Sequence, residues 1–390
     1  MINIVNKNEC MGCHGCYNIC PKNCIEMKVD VEGFKYPHIN LQECIKCNLC
    51  EKVCAILNDK KVDNNPRAYA CYNKDEIIRG ESSSGGIFSL VAEKILNDNG
   101  VIFGACFNEK LDVIHTYTAN IKEIKKFRGS KYVQSNIGES YSDVKKFLEK
   151  GKKVLFTGTP CQISGLNRYL QKDYQNLFCM DIICHGVPSP KSWIKFRNSI
   201  SNEKKITNIN FRNKSSGWKS YCLSIEFDDK SELKINRSDN KYMDGFIGDI
   251  FLRPSCHDCR FKSLNRESDI TLADFWGIEN IKPEMDDDKG TSLIFVNSIE
   301  GKKMINEIID FIRIQEVDIN EAIKYNISAI KSSYCNPRRK YFFKNIDKMN
   351  FDKLVVKSLM DPLHIRIKVI VIRVLKWVQK LIKGDKNGVK

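Results

Sequence analysis

Cysteine carries the chemistry of this chain. Two runs share one spacing: Cys10-x2-Cys13-x2-Cys16-x3-Cys20, followed by Pro21, and Cys44-x2-Cys47-x2-Cys50-x3-Cys54. Three thiolates at intervals of three wrap one iron–sulfur cubane, and the fourth of each run reaches the other cube. The spacing therefore predicts that Cys10, Cys13, Cys16 and Cys54 hold one 4Fe-4S cluster, and that Cys44, Cys47, Cys50 and Cys20 hold a second. Structural zinc suits the runs poorly, because it prefers two Cys-x2-Cys pairs a dozen or more residues apart. Ala55 stands where a proline would close the second run, and Cys24 adds a thiol that reads as a small buried residue rather than a ninth ligand.

Four more cysteines stand at turn-like positions, in Gly158-Thr159-Pro160-Cys161, Cys184-His185-Gly186 and Cys256-His257-Asp258-Cys259. Spacing alone leaves three readings open: a four-sulfur site, a zinc knot, or one Cys-x2-Cys pair beside two unrelated thiols. His185 adjoins one of these thiols and is a candidate proton relay. Two turns suit an anion. Ser82-Ser83-Ser84-Gly85-Gly86 runs into a helical pattern and offers caps and unpaired N–H groups for a phosphate. Arg128-Gly129-Ser130-Lys131-Tyr132 combines two cations, a glycine and an aromatic ring. The run Asp286-Asp287-Asp288 reads as a solvated turn in preference to a metal site, and Cys71, Cys106, Cys179, Cys222 and Cys335 read as core.

The elements that must position these groups follow from the hydrophobic pattern. A polar link from Asn58 to Pro66 has little to bury and marks a boundary after a head of residues 1–58. Beyond it, Val101 to Phe107, Val154 to Thr157 and Leu177 to Ile183 read as buried strands, and Ile87 to Leu96, Ser142 to Leu148 and Gln162 to Leu170 as helices. From Lys205 to Ile235 the pattern becomes a meander or hairpin. The expected fold class is α/β with mixed α+β character, in several domains: a two-cluster head, a body with parallel and antiparallel strands, and a C-terminal amphipathic helix. Were the strands before Cys161 and Cys184 neighbours, both thiols would emerge at one sheet edge.

Over residues 1–58 the chain resembles the bacterial two-cluster 4Fe-4S ferredoxin domain. The body is similar, over about residues 66–315, to the coenzyme F420 hydrogenase/dehydrogenase beta-subunit family. The motifs that carry this likeness are Ser83-Ser84-Gly85-Gly86, Gly129-Ser130-Lys131-Tyr132, Gly158-Thr159-Pro160-Cys161-Gln162, Cys184-His185-Gly186 and the stretch from Arg253-Pro254-Ser255-Cys256 to Asp274-Phe275-Trp276-Gly277. The resemblance implies an N-terminal-like domain at 66–150 and a C-terminal-like domain at 151–345. It implies FAD held by Ser83, Ser84, Gly85, Gly86, Arg128, Gly129, Ser130, Lys131 and Tyr132, and a further 4Fe-4S cluster on Cys161, Cys184, Cys256 and Cys259. It also implies an oxidoreductase that exchanges a hydride with a coenzyme F420-like deazaflavin and single electrons with a redox partner protein or ferredoxin. A second reading has ferredoxin reduce the flavin for a reductive step in envelope polysaccharide assembly.

Composition narrows the class. With 390 residues, 42% hydrophobic and 28% charged, the chain is long enough for several cores and unlike a disordered polymer. Eighteen cysteines behind a start that lacks a basic-then-apolar leader argue for a reducing, cytoplasmic setting in which sulfur binds metal. The formal charge of +15 overstates the loaded protein, since cluster and flavin are anionic. No aromatic RNA-reading motif interleaves with the basic residues, so no nucleic-acid partner is expected. Residues 361–383 form a basic amphipathic pattern, with Leu363, Ile367, Ile370 and Val374 on one face and Arg366, Arg373 and Lys380 on another. That pattern fits peripheral contact with an anionic inner membrane face, or packing on protein.

Overall fold

The computed structural model describes residues 2, 6–60, 62–201 and 203–360; the tail pattern at 361–383 lies outside the described residues. In the head, a two-stranded antiparallel hairpin of β1 (Ile25–Val29) and β2 (Lys35–Ile39) stands beside two very short helices, Gly15–Ile19 and Leu49–Lys52. Each of these helices opens the same way. Gly12 and Lys46 precede the second cysteine of their runs with φ of 69° and 56°, and His14 and Asn48 follow it with φ of 62° and 59°. The left-handed residues repeat with the cysteines, and such kinks turn successive N–H groups toward one concavity.

The body is built on an eight-stranded sheet. Its first strands in the chain are β3 (Arg67–Asn73), β4 (Val101–Phe107), β5 (Val113–Thr118), β6 (Val154–Gly158) and β7 (Leu177–Ile182). A separate antiparallel meander follows: β8 (Ile206–Asn213), β9 (Cys222–Phe227) and β10 (Glu232–Asn236). The chain then returns to the large sheet as β11 (Ile270–Asp274), β12 (Ser292–Val296) and β13 (Ile312–Val317). The spatial order is β13-β3-β12-β11-β7-β6-β4-β5. The four central strands β11, β7, β6 and β4 are mutually parallel, and antiparallel strands flank them on both sides.

The period of two is visible in what each strand buries. From β4 and β6, Ile102 and Leu155 face a core completed by Ile87, Val91 and Ile95 of helix Ile87–Asn97. Their neighbours Val101, Phe103, Val154 and Phe156 face the opposite core, with Val144 and Leu148 of helix Ser140–Glu149 and Ile163 and Leu166 of helix Pro160–Leu170. Both faces are covered, as parallel strands require, and each such side chain contributes roughly 1.5–3 kcal/mol by leaving water. A third, aromatic core joins the meander to the C-terminal helices through Trp193, Phe211, Tyr242, Phe251 and Phe351.

Candidate functional site

The head holds two cavities of equal size, each about 370 Å³ with the space at its mouth. Cys10, Cys13, Cys16 and Cys54 border one; Cys20, Cys44, Cys47 and Cys50 border the other. The fourth cysteine of each run thus crosses to the opposite cavity. The donor chemistry fits a cluster. Burial pushes the Cys13 thiol up to about 12 and Cys16 well above its ordinary value, so these ligands become thiolate only when a cation compensates the charge. Cys24 is buried and also lines the second cavity, its Sγ 3.4 Å from that of Cys20.

The body cysteines converge as well. β6 pairs with β7 in parallel register, so Cys161, in the first turn of helix Pro160–Leu170, and Cys184, just past β7, leave the sheet at one edge. Thr159 and Gln162 form a capping box that anchors that first turn. Cys256 and Cys259 come from the 3-10 turn Pro254–Asp258 and its end, and the Val187 N–H donates to Cys256 Sγ at 3.4 Å. All four line one cleft of about 740 Å³. Burial pushes Cys184 to about 11 and Cys256 to about 12, while burial followed by the charges of Cys259 and Cys184 raises Cys161 further. Among the described residues no group of three or more His, Cys, Asp and Glu is arranged to hold a metal ion; the quartets border volumes rather than points.

Met11 and Ile56 wall both this cleft and the first head cavity, so a single layer of side chains separates the two quartets. Cys335, expected in the core, is exposed at the rim of the same cleft; it follows no strand or helix that would bury it. Cys71, Cys106, Cys179 and Cys222 are buried as expected. His185 also lines the cleft. Its Nε2 lies 2.7 Å from Oδ1 of buried Asp249 and its ring meets Phe246 edge-on, while its backbone carbonyl accepts from Ser333 and Lys262.

The two glycine-bearing turns, 47 residues apart in sequence, meet. The Ser130 N–H donates to Ser83 Oγ at 2.7 Å, and the two hydroxyls are 3.0 Å apart. Ser84 Oγ donates to the Thr291 carbonyl, and Gly85 is obligatory because a Cβ there would stand 2.5 Å from the Cys71 carbonyl oxygen. Gly86 (φ 81°) opens helix Ile87–Asn97, and Gly129 (φ 84°) faces open space. Arg128 reaches Ser89 Oγ at 3.0 Å and pairs with Glu81. Lys131 turns inward onto the carbonyls of Lys126 and Arg128, and burial brings its amine down to about 8. Tyr132 packs against Phe211 and Phe246. The acidic run is neither a metal site nor a free turn: Asp287 pairs with buried Arg79 at 2.6 Å and Asp286 with Lys219 at 2.6 Å.

Three buried arginines that sequence reading passed over tie these parts together. Arg79 stacks 3.7 Å from the Tyr72 ring centroid while holding Asp287. Arg253, 1% exposed, donates to the carbonyls of Cys10 (2.7 Å) and Lys35 (2.9 Å) and to Gln134 (2.9 Å), and its Nη2 lies 3.7 Å from Cys10 Sγ. Arg212 lies beside Asp274. Only Arg253 carried a sequence signal, as the first residue of Arg-Pro-Ser-Cys.

Family comparison places these sites. The family model for the C-terminal part of the coenzyme F420 hydrogenase/dehydrogenase beta subunit matches residues 151–322, and the 4Fe-4S dicluster domain matches residues 9–56. The body belongs to the coenzyme F420 hydrogenase/dehydrogenase beta-subunit family, and the head is a 4Fe-4S dicluster domain. The chain is accordingly an iron–sulfur electron-transfer oxidoreductase of that type. An uncharacterized ferredoxin of Methanocaldococcus jannaschii is 32% identical over 69 residues, which cover 16% of this chain and 88% of the relative. An uncharacterized polyferredoxin-like protein of the same organism is 34% identical over 58 residues, covering 13% of this chain and only 34% of the relative's length. Among solved structures, a chain of the F420-reducing [NiFe] hydrogenase complex from Methanosarcina barkeri superposes with a TM-score of 0.47 at 15% identity, covering 76% of this chain and 93% of that one. Among the described residues no helix is long and apolar enough to cross a membrane.

Proposed function

We propose that this family member is an FAD-dependent iron–sulfur oxidoreductase that exchanges a hydride with a reduced deazaflavin of the coenzyme F420 kind and single electrons with a protein redox partner. The observation that carries it is the shared wall of Met11 and Ile56, which sets the body quartet one side-chain layer from the first head cavity. A row of sites so closely spaced suits electron transfer. Residues 1–58, 66–150 and 151–345 are its working units, the first for delivery and the others for hydride exchange.

Flavin and cubanes, when bound, supply the conversion between a two-electron hydride and single electrons. The chain supplies position and exclusion of water. The two joined turns, Ser83 to Gly86 and Arg128 to Tyr132, offer hydroxyls, open glycine backbone and a cation to FAD. Cys161, Cys184, Cys256 and Cys259 hold the third cluster, and the eight head cysteines hold the other two. His185, steadied by Asp249, holds the proton that accompanies hydride transfer. Anaerobic purification with iron, sulfide and flavin quantitation tests the reading. About twelve irons and one FAD per chain support it; about eight irons without flavin overturn it. Reduction of the bound flavin by ferredoxin, with none by reduced deazaflavin, would reject the hydride donor while leaving the cofactors in place.

A further inference from the structure

Arg212 is 2% exposed, yet among the described residues its Nε and Nη2 find no acceptor. Asp274 Oδ2 stands 3.2 Å from Nη2 as an ion pair without hydrogen-bond geometry, and that carboxylate also accepts from Trp218 Nε1 at 3.2 Å. Aromatic rings cover the cation: its central carbon is 3.7 Å from the Tyr221 centroid and 5.0 Å from that of Trp276. A buried guanidinium with idle in-plane donors is costly unless an acceptor from outside the chain completes it. The two turns assigned to FAD close on the same place. Tyr132 lies within electrostatic reach of Arg212 and Asp274, and Lys214, two residues beyond Arg212, donates to the Ser84 carbonyl at 3.0 Å.

A flat cation with donors along its edge, between aromatic walls, complements a flat acceptor edge. Phosphate would meet the same donors, but the Ser83 and Ser130 hydroxyls already furnish a phosphate site, and phosphate gains nothing from aromatic walls. We propose that Arg212 binds the carbonyl-bearing pyrimidine edge of the flavin ring, a reading that rests on the FAD assignment above. Negative charge builds on that edge when the ring is reduced, so the guanidinium holds reduced flavin more tightly than oxidised flavin.

The test uses the full-length, cluster-loaded chain with Arg212→Gln and Arg212→Lys, titrated with FAD by fluorescence, challenged with ADP as competitor, and poised in a redox titration followed by flavin absorbance. Arg212→Gln is expected to weaken oxidised FAD about tenfold and reduced FAD about a hundredfold, with the ADP inhibition constant unchanged. The tenfold difference lowers the two-electron midpoint by about 30 mV. Arg212→Lys should fall between wild type and Arg212→Gln, and it decides the matter should Arg212→Gln not fold. An unchanged midpoint overturns the proposal, and so does an ADP constant that rises in step with that of FAD, which would give the cation to the pyrophosphate. Wild-type protein that binds no FAD overturns the flavin assignment itself; wild-type binding with an indifferent variant overturns this inference alone.

Discussion

The two cluster cavities of the head have the same cysteine spacing, the same left-handed turns and the same volume, but not the same surroundings. The first is sealed by the body. Gly165 of helix Pro160–Leu170 lies so close to Cys13 that a Cβ would approach its Cβ at 2.8 Å, and Arg253 caps Cys10 from the other side. The second is bordered by Lys22, Ile45 and Lys46, and its Cys47 is exposed. Repetition in sequence yields two ligand sets; elements far along the chain make one an interior relay and the other an outlet suited to a partner. Burial, local charge and solvent access are the levers by which a protein tunes otherwise equal clusters.

The largest expected effect separates the two by ligand removal. Cys16→Ser and Cys47→Ser should each lose about four irons. Cys16→Ser should also cost on the order of 3 kcal/mol more unfolding free energy, because it leaves a hole between head and body; equal denaturant midpoints would erase the distinction. Next, Arg253→Met strips hydrogen bonds from two buried carbonyls and should destabilise by about 2–3 kcal/mol. It should also lower the midpoint of the first cluster, seen by EPR redox titration, and leave the second unmoved. A shift in both would mean the cation acts on the head as a whole. Gly165→Val should then cost roughly 1–3 kcal/mol by overpacking against Cys13 and Tyr141, with no counterpart expected for substitutions of exposed Lys46.

The smallest effect depends on pH. His115, buried beneath the first cavity with Nε2 2.9 Å from the Thr157 carbonyl, is pushed by burial from 6.5 down to about 4. The folded state refuses a proton that the unfolded chain accepts, so stability should fall as pH drops from about 6.5 toward 4. His115→Gln should flatten that slope by on the order of 1–2 kcal/mol, measured by denaturation across this range. An unchanged slope would place the acid sensitivity elsewhere.

What was legible in the sequence was local. Val101 to Phe107 is a strand over those bounds, and the helices begin within two residues of where the apolar period starts, because period and caps are properties of neighbours. The convergence of Cys161 and Cys184 at one edge followed from two strands ending in step. The antiparallel flanks did not show. β3 lies between β12 and β13, more than 200 residues later, and nothing in Arg67–Asn73 names those partners. The buried arginines escaped for the same reason: an isolated Arg212 in a strand looks like a solvated residue until Asp274 and the rings around it are in place.

The hairpin of the head has one further consequence, for assembly in time. Its tip is clasped from far downstream: Arg339 pairs with Glu32, Ser189 donates to the Glu32 carbonyl, and Lys191 packs over Gly33. The ribosome releases the head long before the residues that clasp it. A nascent chain therefore presents its first cavity uncovered through much of its synthesis, and the lid is complete only once Arg339 has emerged. Cluster delivery has a natural window before that closure, and a chain stopped short of Arg339 would carry its clusters with the door still open.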